Sequence, residues 1–338
     1  MKNHYNDSVK TGDASPAAKE PGAFAPIEIL RKYNSFITFT VMLIVATVAT
    51  GGKFFTASNA LTVIERASII GIVALGQGMV ILTGAIDLSV NAIMNLSFTG
   101  VAVLANVGVP YGTAILVALA LGAIVGLANG ILIIKTRIPA WLVTLSTMMI
   151  ANAVAMRWSG TLGLRFAGLQ SFINNLFGMD VSSSRYFAGI VWIVLGLIFA
   201  LVLTRTRFGL NLFFLGGGRR AAYLSGVRIN YVQVMAYVIS GVMAAGAAIV
   251  LAYRVGTLNP TSADSYQLYS IAAVVLGGAV ITGGQGSAFG TFFGAIVLAM
   301  LTNVLNILMV NVYIQNTIMG ALLVLIVYIN LVMSGRSK

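Results

Sequence analysis

Cysteine is absent from the sequence, and the single histidine is His4, within a polar N-terminal segment. Disulfides, thiolate metal sites and thiol nucleophiles are therefore excluded, and the apolar part of the chain has no histidine chemistry. We predict no catalytic residue and no metal site. Charge is also scarce, because 8% of the 338 residues are charged, against about 25% in a soluble domain. With 59% hydrophobic residues, the expected fold is all-α, in a polytopic membrane protein.

Apolar runs that approach the length of a membrane span recur along the chain. A span needs about 20 mostly apolar residues. The ten predicted spans are 35–52, 68–84, 88–107, 112–134, 138–156, 187–204, 231–252, 268–283, 287–309 and 313–333. Residues 1–34 are predicted to form a largely disordered cytoplasmic tail, residues 35–333 the transmembrane domain, and residues 334–338 a second cytoplasmic tail.

The positions of lysine and arginine predict that both termini are cytoplasmic. This orientation places 14 basic residues inside and six outside, namely Lys53, Arg66, Arg157, Arg165, Arg185 and Arg254. It also makes residues 205–230 the longest cytoplasmic segment between spans. The same bias explains the net charge of +12, so membrane lipid is expected as a partner and nucleic acid is not.

Two short segments resemble each other at a separation of 199 residues. They are Leu82-Thr83-Gly84 and Ile281-Thr282-Gly283, and each leads through a polar turn into another apolar run. This pattern predicts a parallel internal repeat, an arrangement found in transporters. Glycines four residues apart favour close packing of helices, and they occur at Gly122, Gly126 and Gly130 and again at Gly286, Gly290 and Gly294.

Polar side chains within the predicted spans are mostly amides and hydroxyls. Asp87 is the only carboxylate near the centre of this region, because Glu65, Asp180 and Asp264 are assigned to outer loops. Its position before a helix start favours a role as a cap or hydrogen-bond anchor over ion coupling. The candidates for a solute pathway are Gln77, Asn91, Asn95, Asn303 and Asn306, with Thr144 and Asn152 as further members. Their alternative role is to bond one helix to another.

No phosphate-binding loop of the form G-x-x-x-x-G-K-[ST] is present, so this chain is not expected to hydrolyse ATP. Within the 205–230 segment, the residues from Ala221 to Ser225 predict a short helix that ends at Gly226. Such a helix between two spans could be held by a soluble subunit. Arg219 and Arg220 at its start could contact an acidic partner or lipid headgroups. They are explained equally well by the excess of basic residues on the cytoplasmic side.

Three stretches resemble the permease subunits of bacterial ABC importers of the ribose-type, monosaccharide-importing class. They are Gly76-Gln77-Gly78-Met79 through Ile86-Asp87-Leu88-Ser89-Val90, Phe208-Gly209 through Val227, and Ile271-Ala272-Ala273-Val274-Val275-Leu276-Gly277-Gly278 through Gly290-Thr291. The resemblance implies a second permease chain (identical or paralogous), an ATPase that binds ATP and magnesium, an extracytoplasmic solute-binding protein, and the bacterial inner membrane. No cofactor is implied for this chain.

The resemblance also implies roles for particular residues. The expected ATPase-coupling residues are Gly217, Arg219, Arg220, Ala221, Ala222, Leu224, Ser225 and Gly226, and the structural signature comprises Gly84, Asp87, Gly283, Gly286 and Gly290. The chain departs from the family pattern at Ala85 and Asn91, where glycine is usual. A nucleoside or branched-chain amino-acid ABC permease remains an alternative, as does a stand-alone secondary carrier.

Overall fold

The structure is a computed structural model that describes residues 25–160, 163–166, 168–180 and 183–335. Most of the predicted N-terminal tail and residues 336–338 lie outside the described residues. The helices are α1 (Ala25–Ala49), α2 (Ala57–Leu82), α3 (Val90–Asn106), α4 (Tyr111–Thr136), α5 (Ala140–Ser159), α6 (Leu169–Phe177), α7 (Phe187–Arg205), α8 (Arg207–Gly217), α9 (Arg219–Leu224), α10 (Ile229–Val255), α11 (Tyr266–Leu276), α12 (Ala288–Ile307) and α13 (Val312–Gly335).

The all-α polytopic fold is confirmed, because each predicted span corresponds to one apolar helix. Six helices have the length and hydropathy of a membrane span: α2, α4, α5, α7, α10 and α12. The shorter apolar helices are α3, α11 and the described parts of α1 and α13. Strand structure in the described residues is limited to β1 (Leu164–Arg165) and β2 (Thr257–Leu258), which pair antiparallel.

Helix α11 ends earlier than predicted, at Leu276 rather than residue 283. The reason is that α11 ends in a turn with a glycine of positive φ, and α2 ends in a second turn of the same kind. Gly84 and Gly278 both have positive φ, at 81° and 87°, a conformation that glycine adopts without a steric penalty. In the first turn the Ala85 amide donates to the carbonyl of Val80 (3.3 Å), and in the second Ala279 donates to the fifth residue before it (3.2 Å).

This local geometry corrects the alignment of the internal repeat. The residue that ends α11 in the way that Gly84 ends α2 is Gly278, not Gly283. The turn between α2 and α3, residues 83–89, is called the α2–α3 loop below. Its counterpart, residues 277–287, is called the α11–α12 loop. The second is four residues longer, and Gly283 lies in this additional length.

The centre of the bundle is formed by α2 and α10. The second half of α2 is buried on all sides, and it packs against α7, α10, α11 and α12. Helices α4 and α10 approach so closely that a Cβ atom on Gly122 or Gly126 would overlap a backbone carbonyl of α10, and only glycine leaves room for this contact. Gly290 and Gly294 of α12 meet α11 in the same way. Both sets of glycines therefore allow backbone-to-backbone contact between helices.

The long 205–230 segment contains one more helix than predicted. Helix α8 begins immediately after α7, and the Thr206 side chain caps it by accepting a hydrogen bond from the Gly209 amide (3.1 Å). A Cβ atom on Gly209 would overlap the carbonyl oxygen of Val202, so α8 folds tightly against the last turn of α7. The following helix, α9, is therefore held close to the bundle.

Candidate translocation and coupling site

Helix α9 presents a small apolar surface beside two arginines. Tyr223 and Leu224 are 72% and 77% exposed, whereas Ala222 is 1% exposed and faces the bundle. The helix ends as expected at Gly226, because the Val227 amide donates to the Ala222 carbonyl (3.0 Å). Of the predicted coupling residues, Ala222 therefore anchors the helix. Tyr223, which sequence reasoning left out, lies on the exposed face.

The arginines of α9 differ in their contacts. Both are exposed, but Arg219 donates to the side-chain oxygen of Gln233 on α10 (3.1 Å), whereas the Arg220 side chain makes no hydrogen bond among the described residues. Arg219 thus ties the start of α9 to the span that follows it. The exposed residues that could meet a partner are Arg220, Ala221, Tyr223, Leu224, Ser225 and Gly226.

Three segments of backbone converge directly before α9. The Gly284 amide donates to the Leu82 carbonyl (3.0 Å), which joins the α11–α12 loop to the end of α2. Gly216, in the last turn of α8, lies so close that an added Cβ atom would overlap both of these atoms. A Cβ atom on Gly283 would approach Gly84 within 2.8 Å and Gly216 within 2.9 Å. The last turn of α8 is therefore in direct contact with the end of α2 and with the α11–α12 loop, which itself contacts the α2–α3 loop at Gly84.

The α2–α3 loop is held by a buried carboxylate. Asp87 is fully buried, and its Oδ1 accepts from the amide and the hydroxyl of Ser89 (2.9 and 2.6 Å). Its Oδ2 accepts from the hydroxyl of Ser240 on α10 (2.9 Å). The residue in the N-cap position of α3 is Ser89, so Asp87 fixes the loop from two residues further back.

Neutral side chains from three further helices complete this network. The Gln77 amide, in the orientation that satisfies both of its polar atoms, donates to the Asp87 carbonyl (3.1 Å) and accepts from the Asp87 amide (3.2 Å). Asn129 on α4 donates to the Ser89 hydroxyl (2.9 Å). On α5, the Thr144 hydroxyl accepts from the Leu88 amide (3.1 Å). The loop is thus bonded to α2, α4, α5 and α10.

The five predicted pathway amides do not form one cluster. Within the described residues, no hydrogen bond joins any two of them. Gln77 serves the α2–α3 loop, and Asn306 is exposed and bonded within the α12–α13 region. Asn91 and Asn303 are buried, and the side-chain oxygen of each has no partner among the described residues. Buried polar atoms of this kind are satisfied when another chain, water or solute reaches them.

Asn95 forms a contact that the sequence did not indicate. It is fully buried, and its amide nitrogen donates to Asn152 on α5 (3.0 Å) and to the carboxylate of Asp264 (2.9 Å). Its oxygen accepts from the Ala263 amide (3.1 Å). Asp264 is an exposed residue of the turn before α11, so it lies in a loop, and this loop reaches a residue inside the bundle.

An ion-pair cluster lies at the end of the bundle opposite α9. Both oxygens of the Glu65 carboxylate are used, one by Arg185 (3.3 Å) and the other by Arg254 (3.1 Å). These contacts join α2, the turn before α7 and the end of α10. Glu65, Arg185 and Arg254, which the sequence places on the outer side, therefore meet at one end of the bundle. Among the described residues, no three His, Cys, Asp or Glu side chains are arranged to hold a metal ion.

Comparison with known proteins adds a family to this geometry. Residues 59–327 match the family model described as branched-chain amino acid transport system / permease component. The chain is 33% identical to the ribose import permease proteins of Escherichia coli (strain K12) and Bacillus subtilis (strain 168). Both alignments cover 89% of this chain, with 94% and 93% of the respective relative.

A further relative is the fructose import permease protein of Rhizobium meliloti, which is 32% identical. That alignment covers 87% of this chain and 83% of the relative. No solved structure matches the chain. The coverage shows that the similarity extends over the helices and loops described above rather than over a single motif.

Proposed function

The chain belongs to the family of branched-chain amino acid transport system permease components, and we propose that it is the membrane-spanning subunit of an ATP-driven monosaccharide importer. The observation that carries the proposal is the placement of α9. This helix exposes Tyr223 and Leu224 between two spans. Gly216, in the helix just before it, contacts the end of α2 and the α11–α12 loop. A soluble ATPase bound to α9 would therefore act through a segment that contacts the α11–α12 loop and the end of α2, where the α2–α3 loop begins.

The partners follow from this assignment. ATP hydrolysis is assigned to a separate ATPase, and solute delivery to an extracytoplasmic binding protein. A second permease chain, identical or paralogous, would complete the pathway. The unpartnered oxygens of Asn91 and Asn303 support a pathway that is finished by further groups, because buried polar atoms require partners. With α9 facing the ATPase, both termini are cytoplasmic.

A monosaccharide is favoured as solute by the names of the relatives, which import ribose, allose and fructose. The family description favours a branched-chain amino acid instead. Uptake into proteoliposomes that hold the complete importer distinguishes these solutes. We expect ATP-dependent uptake of a labelled monosaccharide that persists when the proton gradient is collapsed. Uptake of leucine alone would contradict the sugar assignment, and ion-driven uptake by the chain alone would identify a secondary carrier.

Substitution of Leu224 tests the coupling role of α9. Leu224→Asp places a charge on an apolar contact surface, so we expect loss of ATPase association and of uptake while the protein remains inserted. The control is Val107→Asp at the α3–α4 turn, because Val107 is comparably exposed (73%) but lies away from α9. Unchanged co-purification of the ATPase with Leu224→Asp would refute the assignment.

A further inference from the structure

Asp264 reaches the inside of the helix bundle although it lies in the turn before a short helix. Helix α11 has 11 residues, about 16 Å, and it runs antiparallel to α12. Close contacts pair Ala273 with Gly294 and Gly277 with Gly290. Continuing this register places the first residue of α11 level with Leu301, about 9 Å below the end of α12. Asp264 also contacts Asn95, which lies about 16 Å before the end of α3, so both neighbouring helices extend well beyond the level of this turn.

Two polar groups at this position remain available. The amide nitrogen of Asn95 donates to Oδ1 of Asp264 and to Oδ1 of Asn152. Among the described residues, Oδ2 of Asp264 and Nδ2 of Asn152 have no hydrogen-bond partner. Because both bonded oxygens lie about 3 Å from one nitrogen, they are at most about 6 Å apart. The free acceptor and the free donor belong to the same two groups, so they lie within about 10 Å of each other.

The surroundings of these groups indicate water rather than lipid. Asp264 is exposed and Asn152 is half-buried on the surface of the chain. An ionised carboxylate in the membrane interior faces a water-filled cavity or a partner charge, since contact with hydrocarbon is costly. No basic side chain forms an ion pair with Asp264 among the described residues. This part of the surface is therefore expected to border an aqueous space.

We propose that Asp264 and Asn152 bind two hydroxyl groups of a monosaccharide in the half of the pathway opposite α9. The proposal rests on the proposed function. A hydroxyl both donates and accepts, so a carboxylate oxygen and an amide N–H on one part of the surface match two hydroxyls of a sugar ring. Asn95 is a positioning residue, because it holds Asp264 and Asn152 while both polar atoms of its own side chain are already hydrogen-bonded. Two contacts alone bind weakly, which permits release.

The experiment uses the complete importer in proteoliposomes at saturating binding protein. Uptake is measured for whichever of ribose, allose, fructose and xylose is carried best, and for its mono-deoxy analogues. Asp264→Asn keeps the oxygen that Asn95 needs but removes the charge, so we expect uptake to fall about tenfold or more. For the analogue that lacks the contacting hydroxyl, the variant and the unaltered chain should differ little. A purely structural role for Asp264 would reduce both rates equally and would overturn the proposal.

The control is Thr261→Ala, an exposed position in the same segment whose hydroxyl makes no hydrogen bond among the described residues, and we expect normal uptake. A second measurement does not depend on transport. Asn152→Cys introduces the only thiol, and we expect a membrane-impermeant thiol reagent to label it, more slowly with the monosaccharide present than with leucine.

Failure of the site and failure of the proposed function give different results. Normal sugar uptake by Asp264→Asn, or no labelling of Asn152→Cys, overturns the site while sugar import stands. If the unaltered importer carries leucine and no sugar, the proposed solute is wrong. In that case, protection of the thiol by the monosaccharide would still support the site, and protection by leucine alone would overturn it.

Discussion

The α2–α3 loop and the α11–α12 loop begin with the same glycine-ended turn, but different groups hold them in place. The first is fixed by side chains, with Asp87 bonded to Ser89 and Ser240 in a fully buried position. In the second, Gly278, Thr282 and Gln285 are exposed, and the contact with α2 is made by backbone atoms. A buried hydrogen-bond network resists rearrangement, whereas a glycine contact can separate without leaving charged groups unpaired. We infer that the first loop is the fixed member of the pair and the second the movable one.

The largest effect is expected at the buried carboxylate. Asp87→Leu leaves three buried donors without an acceptor, so we expect the free energy of unfolding to fall by about 3 kcal/mol or more. Asp87→Asn keeps one acceptor oxygen and can donate to Ser240, so its cost should be about 1 kcal/mol. Denaturant unfolding in detergent measures both. Equal losses for the two variants would show that the charge, not the hydrogen bonding, holds the loop.

A smaller effect is expected where the two loops meet α8. Gly216→Ala forces a methyl group between the Leu82 carbonyl and the Gly284 amide, which should cost about 1–3 kcal/mol and reduce coupled uptake. Gly246 in α10 has no atom within 4 Å of an added Cβ, so Gly246→Ala is the control. ATPase activity and uptake are measured together. Normal uptake with Gly216→Ala would mean that this contact is not needed for coupling.

The smallest difference is expected between two glutamines, one serving each loop. Gln77→Ala removes two hydrogen bonds to the backbone of Asp87, and we expect a loss of about 1–2 kcal/mol. Gln285 is exposed, and its side chain has no hydrogen bond among the described residues, so Gln285→Ala should change stability by less than about 0.5 kcal/mol. Thermal unfolding of both variants gives the comparison. A larger loss at Gln285 would reverse the assignment of fixed and movable loops.

The sequence was sufficient to predict the class of fold because hydropathy alone marks apolar helices. It placed ten spans on ten helices, and it anticipated α9 with its glycine end. It extended α11 to residue 283, because apolar residues continue past Gly278 and obscure the turn. Helix α8 was missed because Gly209 and Gly216 weaken the helical pattern, and the close contacts of Gly216 lie in the distant segments around Leu82 and Gly284.

The candidate site was less predictable for a related reason. Asp87 was recognised as an anchor, but its partner Ser240 is 153 residues away, a pairing that no local pattern indicates. Asp264 lies in the turn before α11, but its contact with Asn95, 169 residues away, could not be predicted from the apolar run that follows it. The position of this turn depends on the register between α11 and α12, in which Gly294 and Gly290 of α12 meet Ala273 and Gly277.

The contact between α4 and α10 has a mechanical consequence. Gly122 lies against Gly241, Gly126 against Tyr237 and Gly130 against Val234, so the two backbones touch over more than two helical turns. Two rods joined along their length resist bending more than two rods that can slide past each other. We therefore expect helices α4 and α10 to move as one rigid pair. A spectroscopic probe attached to either helix should report rotation of the pair rather than bending of that helix.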